Sequence, residues 1–116
     1  MVKNMKSMND ALESLKDALI EVSDNVGLYE AIDGTKSHLI FAPDSEASQS
    51  NEDNKKEIQT IQATIDLYAK KNDLDLFDDI QESLNENGIS FYLNSVQYED
   101  NDKNDFIHFE WIAEVS

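Results

Sequence analysis

The sequence lacks cysteine and arginine entirely, and each absence removes a class of chemistry. Without cysteine the chain has no disulfide, no thiolate metal ligand and no cysteine nucleophile, a composition that is compatible with a reducing compartment. Without arginine it has no guanidinium group for bidentate binding of a carboxylate or phosphate. The three glycines form no phosphate-binding loop motif. We therefore expect the function of the protein to depend on contacts made by its surface.

Long apolar runs are also missing. No stretch approaches the ~20 apolar residues that span a bilayer, so we expect no integral membrane segment. The first residues contain Lys3 and Lys6, but no apolar region follows them, and we therefore expect no signal peptide. These features predict a soluble protein that works where it is made and has no membrane partner.

Negative charge, by contrast, is abundant. The chain has 25 acidic residues against nine lysines, which gives a formal net charge of −16. Such a surface repels the phosphate backbone, which argues against a protein that binds nucleic acid. The length of 116 residues and the apolar content of 40% suit one domain with a modest core.

Two segments have the apolar periodicity of helices. Residues 7–24 are expected to begin at an Ser7 cap and to place Met8, Leu12, Leu15, Leu19 and Val22 on one buried stripe. A second helix is expected to begin at a cap on Asn72 or Asp73 and to end at a left-handed Gly88. Its predicted inward residues are Leu74, Phe77, Ile80 and Leu84.

Alternation and β-forming residues predict the strands. Residues 28–32 and 37–42 flank Asp33-Gly34, which predicts a hairpin, and Pro43 is expected to end its second strand. Residues 58–68 and 106–115 alternate between apolar and polar side chains, as half-buried strands do. Their predicted core residues are Ile61, Ala63, Ile65 and Leu67 in the first and Ile107, Phe109, Trp111, Ala113 and Val115 in the second.

Residues 89–98 differ because apolar side chains alternate onto both faces. Ile89, Phe91 and Leu93 are expected on one face, and Tyr92, Val96 and Tyr98 on the other. Such a strand is either central in its sheet or has one face against a partner. The residues that follow, 99–105, are expected to form an acidic turn.

The resulting order, α-β-β-long loop-β-α-β-β, predicts an α+β fold for a single domain spanning residues 1–116. The sheet is expected to be mostly antiparallel (mixed), with four to five strands packed with two helices. Residues 43–56 contain no large apolar side chain and are predicted to form a flexible loop. A loop this long in a small domain is often a binding element.

Candidates for catalysis or metal binding are few. His38 and His108 have no second histidine or cysteine at metal-ligand spacing, and we interpret both as solvent-facing strand residues. The aspartates at positions 73, 75, 78 and 79 lack the spacing of a calcium loop, so we interpret them as stabilising the start of a helix. No serine lies in a nucleophile elbow. We therefore expect no enzyme activity, no metal ion and no cofactor.

Aromatic side chains are the remaining surface feature. Tyr68, Tyr92 and Tyr98 are expected on the faces opposite the core residues, and aromatic residues are enriched at protein interfaces. The alternative, in which these tyrosines cover the other side of the sheet or pack under a helix, stays open.

The order and spacing of several blocks resemble those of a known family. The blocks are Leu39-Ile40-Phe41-Ala42, Glu52-Asp53-Asn54-Lys55, Thr64-Ile65-Asp66-Leu67-Tyr68-Ala69-Lys70-Lys71, a helix at 76–87, Gly88-Ile89, Tyr98-Glu99 and Ile107-His108-Phe109-Glu110-Trp111. Over nearly the whole chain this pattern resembles the tail-terminator (tail-completion, or minor capsid and minor tail component) proteins of long-tailed bacteriophages and prophages.

The resemblance implies a structural protein of the virion, placed at the head-tail junction and assembled in the cytoplasm of the bacterial host. Such proteins form a homo-hexameric ring that ends polymerisation of the tail tube and joins the tail to the head connector. The implied partners are further copies of the chain, the tail-tube protein and the head-completion protein. A subunit that stays monomeric until a tube end templates the ring is compatible with this function.

In this family the sheet and the long hairpin loop mediate ring and tube contacts. The corresponding contact residues expected here are Asp44, Glu46, Glu52, Asp53, Asn54, Tyr68, Tyr92 and Tyr98. DNA passes through such a ring without specific binding, and carboxylates in the bore would keep it from adhering. We therefore expect Asp75, Asp78 and Asp79, rather than Lys70 and Lys71, to line the channel.

Two other functions suit the acidic composition. One is a DNA-mimic inhibitor of the anti-restriction type, whose carboxylates imitate phosphates, although the acidic residues here are divided among helix faces and loops. The other is a small immunity or antitoxin protein whose partner is basic. A mimic would bind a basic nuclease or polymerase tightly and with strong salt dependence, which a tail terminator would not.

Overall fold

The computed structural model describes residues 7–46, 60–100 and 105–115. Its elements are α1 (Met8–Ile20), β1 (Val26–Leu28), β2 (His38–Glu46), β3 (Ile61–Ala69), a 3-10 helix (Lys71–Asp73), α2 (Asp75–Glu86), β4 (Ser90–Asp100) and β5 (Asp105–Val115). The five strands form one mixed sheet in the spatial order β1-β2-β3-β5-β4. The predicted α+β class and the predicted order of elements are confirmed.

The core lies between the sheet and the two helices, which pack on the same face. We call this face the helix side and the other face the open side. Completely buried side chains on the helix side include Leu15, Leu19, Leu39, Ile61, Ile65, Leu67, Ile80, Leu84 and Trp111. The predicted core face is confirmed for all four residues of β3 and for Trp111, Ala113 and Val115 of β5, whereas Ile107 and Phe109 are only partly buried. Each fully buried large side chain stabilises the fold by about 1.5–3 kcal/mol.

The start of α1 is the predicted one, because the Ser7 hydroxyl accepts a hydrogen bond from the Asp10 backbone N–H at 3.1 Å. The buried stripe differs in part from the prediction. Met8 is exposed, and Ala11 and Ala18 lie in the core. The small side chain of Ala18 lets α2 approach closely, so that the Ser83 hydroxyl donates to the Ala18 carbonyl at 2.7 Å.

The predicted cap of α2 is wrong. The helix begins at Asp75 after a short 3-10 turn, no side chain caps it, and Leu74 is exposed. The reason is tertiary, because the Asp73 carboxylate accepts a hydrogen bond from the Ser37 hydroxyl at 2.6 Å. The predicted end is confirmed, since Gly88 has φ of +71° and the Ile89 N–H donates to the Leu84 carbonyl at 2.9 Å.

The predicted hairpin between residues 28–32 and 37–42 is also wrong, because β1 pairs with β2 in parallel. Asn25 organises the connection. Its side-chain Nδ2 donates to the carbonyls of Asp33 (3.0 Å) and Ser37 (2.9 Å), and its Oδ1 accepts from the Asp33 N–H at 3.1 Å. These contacts bring the chain back beside the start of β1, so β2 runs in the same direction.

Pro43 does not end β2, which continues to Glu46 through a bulge between Pro43 and Ser45. β1 pairs only with residues 39–41, so the proline follows the end of that pairing, where a missing backbone donor is tolerated. Residues 43–46, which were predicted to belong to a flexible loop, are therefore part of β2, and residues 47–56 of that prediction lie outside the described part of the chain.

β4 is an edge strand, so the central position considered for it is wrong. Its register also shifts. Leu93 pairs with Trp111 and Ser95 with Glu110, which leaves Asn94 as an extra residue in a bulge. After the bulge, Val96 and Tyr98 lie on the helix side with Leu93, and the prediction that they share a face with Tyr92 is wrong.

Candidate interaction surfaces

A row of apolar side chains lies on the helix side of the edge strand β4. We call Leu93, Val96 and Tyr98 the β4 stripe. Their exposed fractions are 39%, 51% and 51%. Lys71 lies at the Tyr98 end of the β4 stripe, where its Nζ is 5.1 Å from the centroid of the Tyr98 ring. Contiguous exposed apolar side chains of this kind mark interaction sites more often than scattered ones do.

A second apolar surface lies at the opposite edge of the sheet, between α1 and β1. We call it the α1/β1 groove and define it by Leu12, Leu28, Ile32 and Phe41, with Glu13 and Lys16 on its rim. Leu28 is 45% exposed and Ile32 is 71% exposed. Gly27 makes the tight exit from β1 possible, because a Cβ there would lie 2.0 Å from the Glu30 carbonyl oxygen.

The two surfaces cannot meet within one chain. β2, β3 and β5 separate the strands that carry them. Both lie on the helix side, since α1 forms one wall of the groove and the β4 stripe shares its face with Trp111. The protein therefore has two different apolar surfaces at the two ends of one sheet.

The open side of the sheet carries a stack of three rings on neighbouring strands. His38 pairs with Tyr68, and Tyr68 pairs with His108. The ring centroids are 4.8 Å apart in the first pair and 4.1 Å apart in the second. These distances are close to the spacing of about 4.8 Å between strands, so the sheet itself sets the stack. Phe106 packs its edge against His38 and Tyr68.

His108 also joins three strands through its ring nitrogens. Nε2 lies 2.7 Å from Oδ1 of Asp66 on β3, and Nδ1 lies 3.1 Å from Oε2 of Glu99 on β4. A carboxylate only accepts hydrogen bonds, so both contacts are hydrogen bonds when both ring nitrogens carry a proton. In that form His108 holds β4 and β5 to the centre of the sheet.

The interpretation of both histidines as solvent-facing is wrong for His38, which is only 7% exposed. Its Nδ1 lies 2.7 Å from the Lys36 carbonyl oxygen, and since a carbonyl only accepts, Nδ1 is the donor. The interpretation is also wrong for His108, whose side chain is only 13% exposed on the open side. Alternation in the sequence placed both residues on the outer face but could not indicate that aromatic neighbours cover them there.

Burial raises the pKa of the Tyr68 phenol above its ordinary value. The nearby carboxylates of Asp66, Glu99 and Glu110 raise it further, because they disfavour a second negative charge. The phenol is therefore neutral over the physiological pH range. The Tyr68 ring packs between the imidazoles of His38 and His108. For Tyr68 this is the alternative in which a tyrosine covers the other side of the sheet.

The expected contact residues are divided between the two faces. Asp44 is exposed in the β2 bulge on the open side, where Thr64 Oγ1 donates to its carboxylate at 2.8 Å. Tyr92 lies on the open side and Tyr98 on the helix side, whereas Glu46 is the last residue of β2 and pairs with Ile61. Three of the expected residues lie outside the described part of the chain, namely Glu52, Asp53 and Asn54.

The expected channel residues Asp75, Asp78 and Asp79 are exposed on α2. Asp79 and two further carboxylates of α2, Glu82 and Glu86, line an acidic groove against Glu21 at the end of α1. Within residues 7–46, 60–100 and 105–115, no cluster of three histidine or carboxylate side chains is arranged to hold a metal ion. In the same ranges, neither helix is long and apolar enough to cross a membrane.

Leu28, Ile32 and Leu93 are not among the surface residues predicted from the sequence. An apolar residue in a short β-like run is ordinarily buried, and only the short length of β1 and the edge position of β4 expose these side chains. No family model matches the sequence, and no curated protein matches it either.

Proposed function

We propose that this protein is a structural assembly protein of the tail-terminator type, which forms a ring that ends a phage tail tube and joins it to the head connector. The supporting observation is that the β4 stripe and the α1/β1 groove are unlike apolar surfaces at opposite edges of one sheet. An interface between unlike surfaces is heterologous. Repeated around an axis, it produces a ring when the rotation closes.

The order of sequence blocks that resembles tail terminators supports the same proposal. In the ring, the exposed aspartates of α2 face the bore and keep DNA from adhering as it passes. The partners are other copies of the chain, the tail-tube protein below the ring and the head-completion protein above it. Asp44 and Tyr92 on the open side, together with residues 52–54, are the proposed contacts with these partners.

The oligomeric state and the capping of tail tubes test this function together. Light scattering over a concentration series, with negative-stain images of the same sample, is expected to show rings of about six times the chain mass, on their own or once tube ends are added. Purified tail tubes of the cognate phage are expected to stop growing when the protein is added. A persistent monomer that leaves tube growth unchanged contradicts the proposal.

The acidic groove between the helices supports a second candidate, an inhibitor or immunity protein for a basic partner. Glu21, Asp79, Glu82 and Glu86 place four carboxylates along one surface. Binding through this surface would weaken steeply with added salt, because the attraction between charged surfaces is screened. Salt-sensitive binding to a basic nuclease, without tube capping, would favour the inhibitor over the terminator.

A further inference from the structure

We infer that the β4 stripe of one copy packs into the α1/β1 groove of the next copy. The occupant of the groove is thus a second copy of this chain, held edge to edge and with the helices on the same side. This inference deepens the proposed ring function by naming its subunit interface, and it rests on that function.

The two surfaces complement each other in shape and polarity. The β4 stripe is a row of side chains that project from the helix side of an edge strand, whereas the α1/β1 groove is a cleft with an apolar floor and polar rims. Val96 lies in the middle of the row, and Ile32 is the most exposed apolar side chain of the groove. Packing the row into the cleft would cover both patches in every copy of a closed ring.

The charges also favour this arrangement over a symmetric one. Lys71 lies beside the β4 stripe, and Glu13 lies on the rim of the groove, so joining the unlike surfaces brings opposite charges together. Lys16, also on the rim, carries the same sign as Lys71. A two-fold pairing that runs two stripes antiparallel would instead place Lys71, which lies at the Tyr98 end of its own stripe, at the Leu93 end of the other stripe and away from Glu13.

Side-chain packing, rather than addition of a strand, is the mode of contact that the edge allows. The bulge at Asn94 interrupts the regular ladder of β4, and bulges of this kind discourage pairing between free strand edges. At the other edge, β1 contributes only three residues. Neither edge of the sheet offers a long, regular row of free backbone hydrogen-bonding groups. The specificity of the contact between copies therefore depends on the β4 stripe and the α1/β1 groove.

The absence of cysteine from the chain allows a direct test by disulfide cross-linking. Val96→Cys and Ile32→Cys are made as separate variants and mixed, both with and without tail-tube ends. The mixtures are oxidised mildly, and the products are separated without reductant. We expect a covalent dimer in the mixture and mostly monomer from each variant alone. A variant that carries both cysteines is expected to give a ladder of covalent oligomers that ends at the closed ring.

Gln97→Cys is the matched control. Gln97 is the neighbour of Val96 on the same strand, it is exposed, and its side chain lies on the open side. Mixed with Ile32→Cys, it is expected to give at least tenfold less cross-linked dimer. Equal cross-linking by the control, cross-linking of Val96→Cys mainly with itself, or no bond between positions 96 and 32 would each overturn the inference.

A charge exchange provides a second readout that leaves the apolar surfaces intact. Lys71→Glu is expected to weaken association by roughly two- to fivefold, the range for an exposed ion pair. Glu13→Lys in the same chain is expected to restore it. Failure of the double variant to recover any affinity would contradict the pairing of these two residues and hence the proposed interface.

The cross-linking result separates this inference from the proposed function. A ladder that forms through positions 96 and 32 while the protein fails to cap tail tubes retains the interface and rejects the tail-terminator function. Capping without that cross-link retains the function and rejects the interface.

Discussion

Nε2 of His108 lies 2.7 Å from Oδ1 of Asp66 on the neighbouring strand, inside a stack of rings that crosses the open side of the sheet. Nδ1 of the same ring lies 3.1 Å from Oε2 of Glu99 on the edge strand. One side chain on β5 is thus tied to both β3 and β4. The position of the edge strand, and with it that of the β4 stripe, therefore depends on the contacts of His108 with Asp66 and Glu99 on the opposite face of the sheet.

Removing the imidazole of His108 should weaken the fold. For His108→Ala we expect the free energy of unfolding to fall by about 1–3 kcal/mol, because Asp66 and Glu99 lose a partner and Tyr68 loses one stacked ring. Urea unfolding measures the change. Glu114→Ala, an exposed residue on the same strand and face, serves as the control and should change stability by less than about 0.5 kcal/mol. Equal effects of the two substitutions would contradict the role given to His108.

Ionisation of Tyr68 should depend on its position in the stack. Burial and three carboxylates raise the pKa of its phenol, so the folded state favours the neutral form. The associated stability is fully present below the ordinary tyrosine pKa of about 10 and is lost as the pH rises through the higher pKa of the folded protein. Near-ultraviolet absorbance should show that Tyr68→Phe removes a tyrosine that ionises above the ordinary tyrosine pKa. Loss of a component at the ordinary value would refute this.

Asn25 should be essential for the parallel pairing of β1 and β2. Its side chain makes three hydrogen bonds to the backbone of residues 33 and 37. We expect Asn25→Ala to reduce the free energy of unfolding by about 2 kcal/mol, because those backbone groups lose their partners in a half-buried site. Asn25→Asp should be at least as harmful, since it places a carboxylate against two carbonyl oxygens. Asn72→Ala, at an exposed position, is the control, and chemical denaturation compares the three.

The two accessible glycines should respond differently to alanine. Gly88 has φ of +71° with nothing within 4 Å of an added Cβ, so Gly88→Ala tests backbone strain alone. A loss of about 1–2 kcal/mol is expected, the cost of a left-handed residue with a Cβ. At Gly34 the φ angle is ordinary and a Cβ would meet the Ala31 Cβ at 3.7 Å. Gly34→Ala should therefore leave the melting temperature nearly unchanged, and a larger effect there than at Gly88 would be inconsistent with these conformations.

The proposed channel face can be tested in an assembled phage. Reversing Asp78 and Asp79 to lysine is expected to slow DNA passage, because cations in the bore attract phosphates. Ejection kinetics of the variant phage provide the measurement, and circular dichroism of the purified variant confirms that it folds. Reversal of Asp10 and Asp17 to lysine, both exposed on α1, is the matched charge control. Infectivity and ejection that match those of the unmodified phage would exclude these aspartates from the channel.

Local sequence determined the elements whose formation depends on neighbouring residues. The alternation of β3 and β5, the Ser7 cap of α1 and the left-handed Gly88 each follow from patterns within a few residues, and the structure contains all three. The α+β class follows in turn, because the order of these elements limits how one core can cover them. For the candidate surfaces, the same patterns marked Tyr98 as an exposed aromatic but assigned it to the wrong face.

Tertiary structure decided the rest, through contacts between residues distant in the chain. The Asn25 side chain holds the connection that makes β1 parallel to β2. The Ser37 hydroxyl donates to Asp73, the residue predicted to cap α2. Asp66 contacts His108 on the neighbouring strand. The bulge at Asn94 had the largest effect on the candidate surfaces, because one extra residue moves every later side chain of a strand to the other face. The pairing of β4 with β5 decides that Asn94 is the extra residue, and no pattern in the sequence of β4 indicates it.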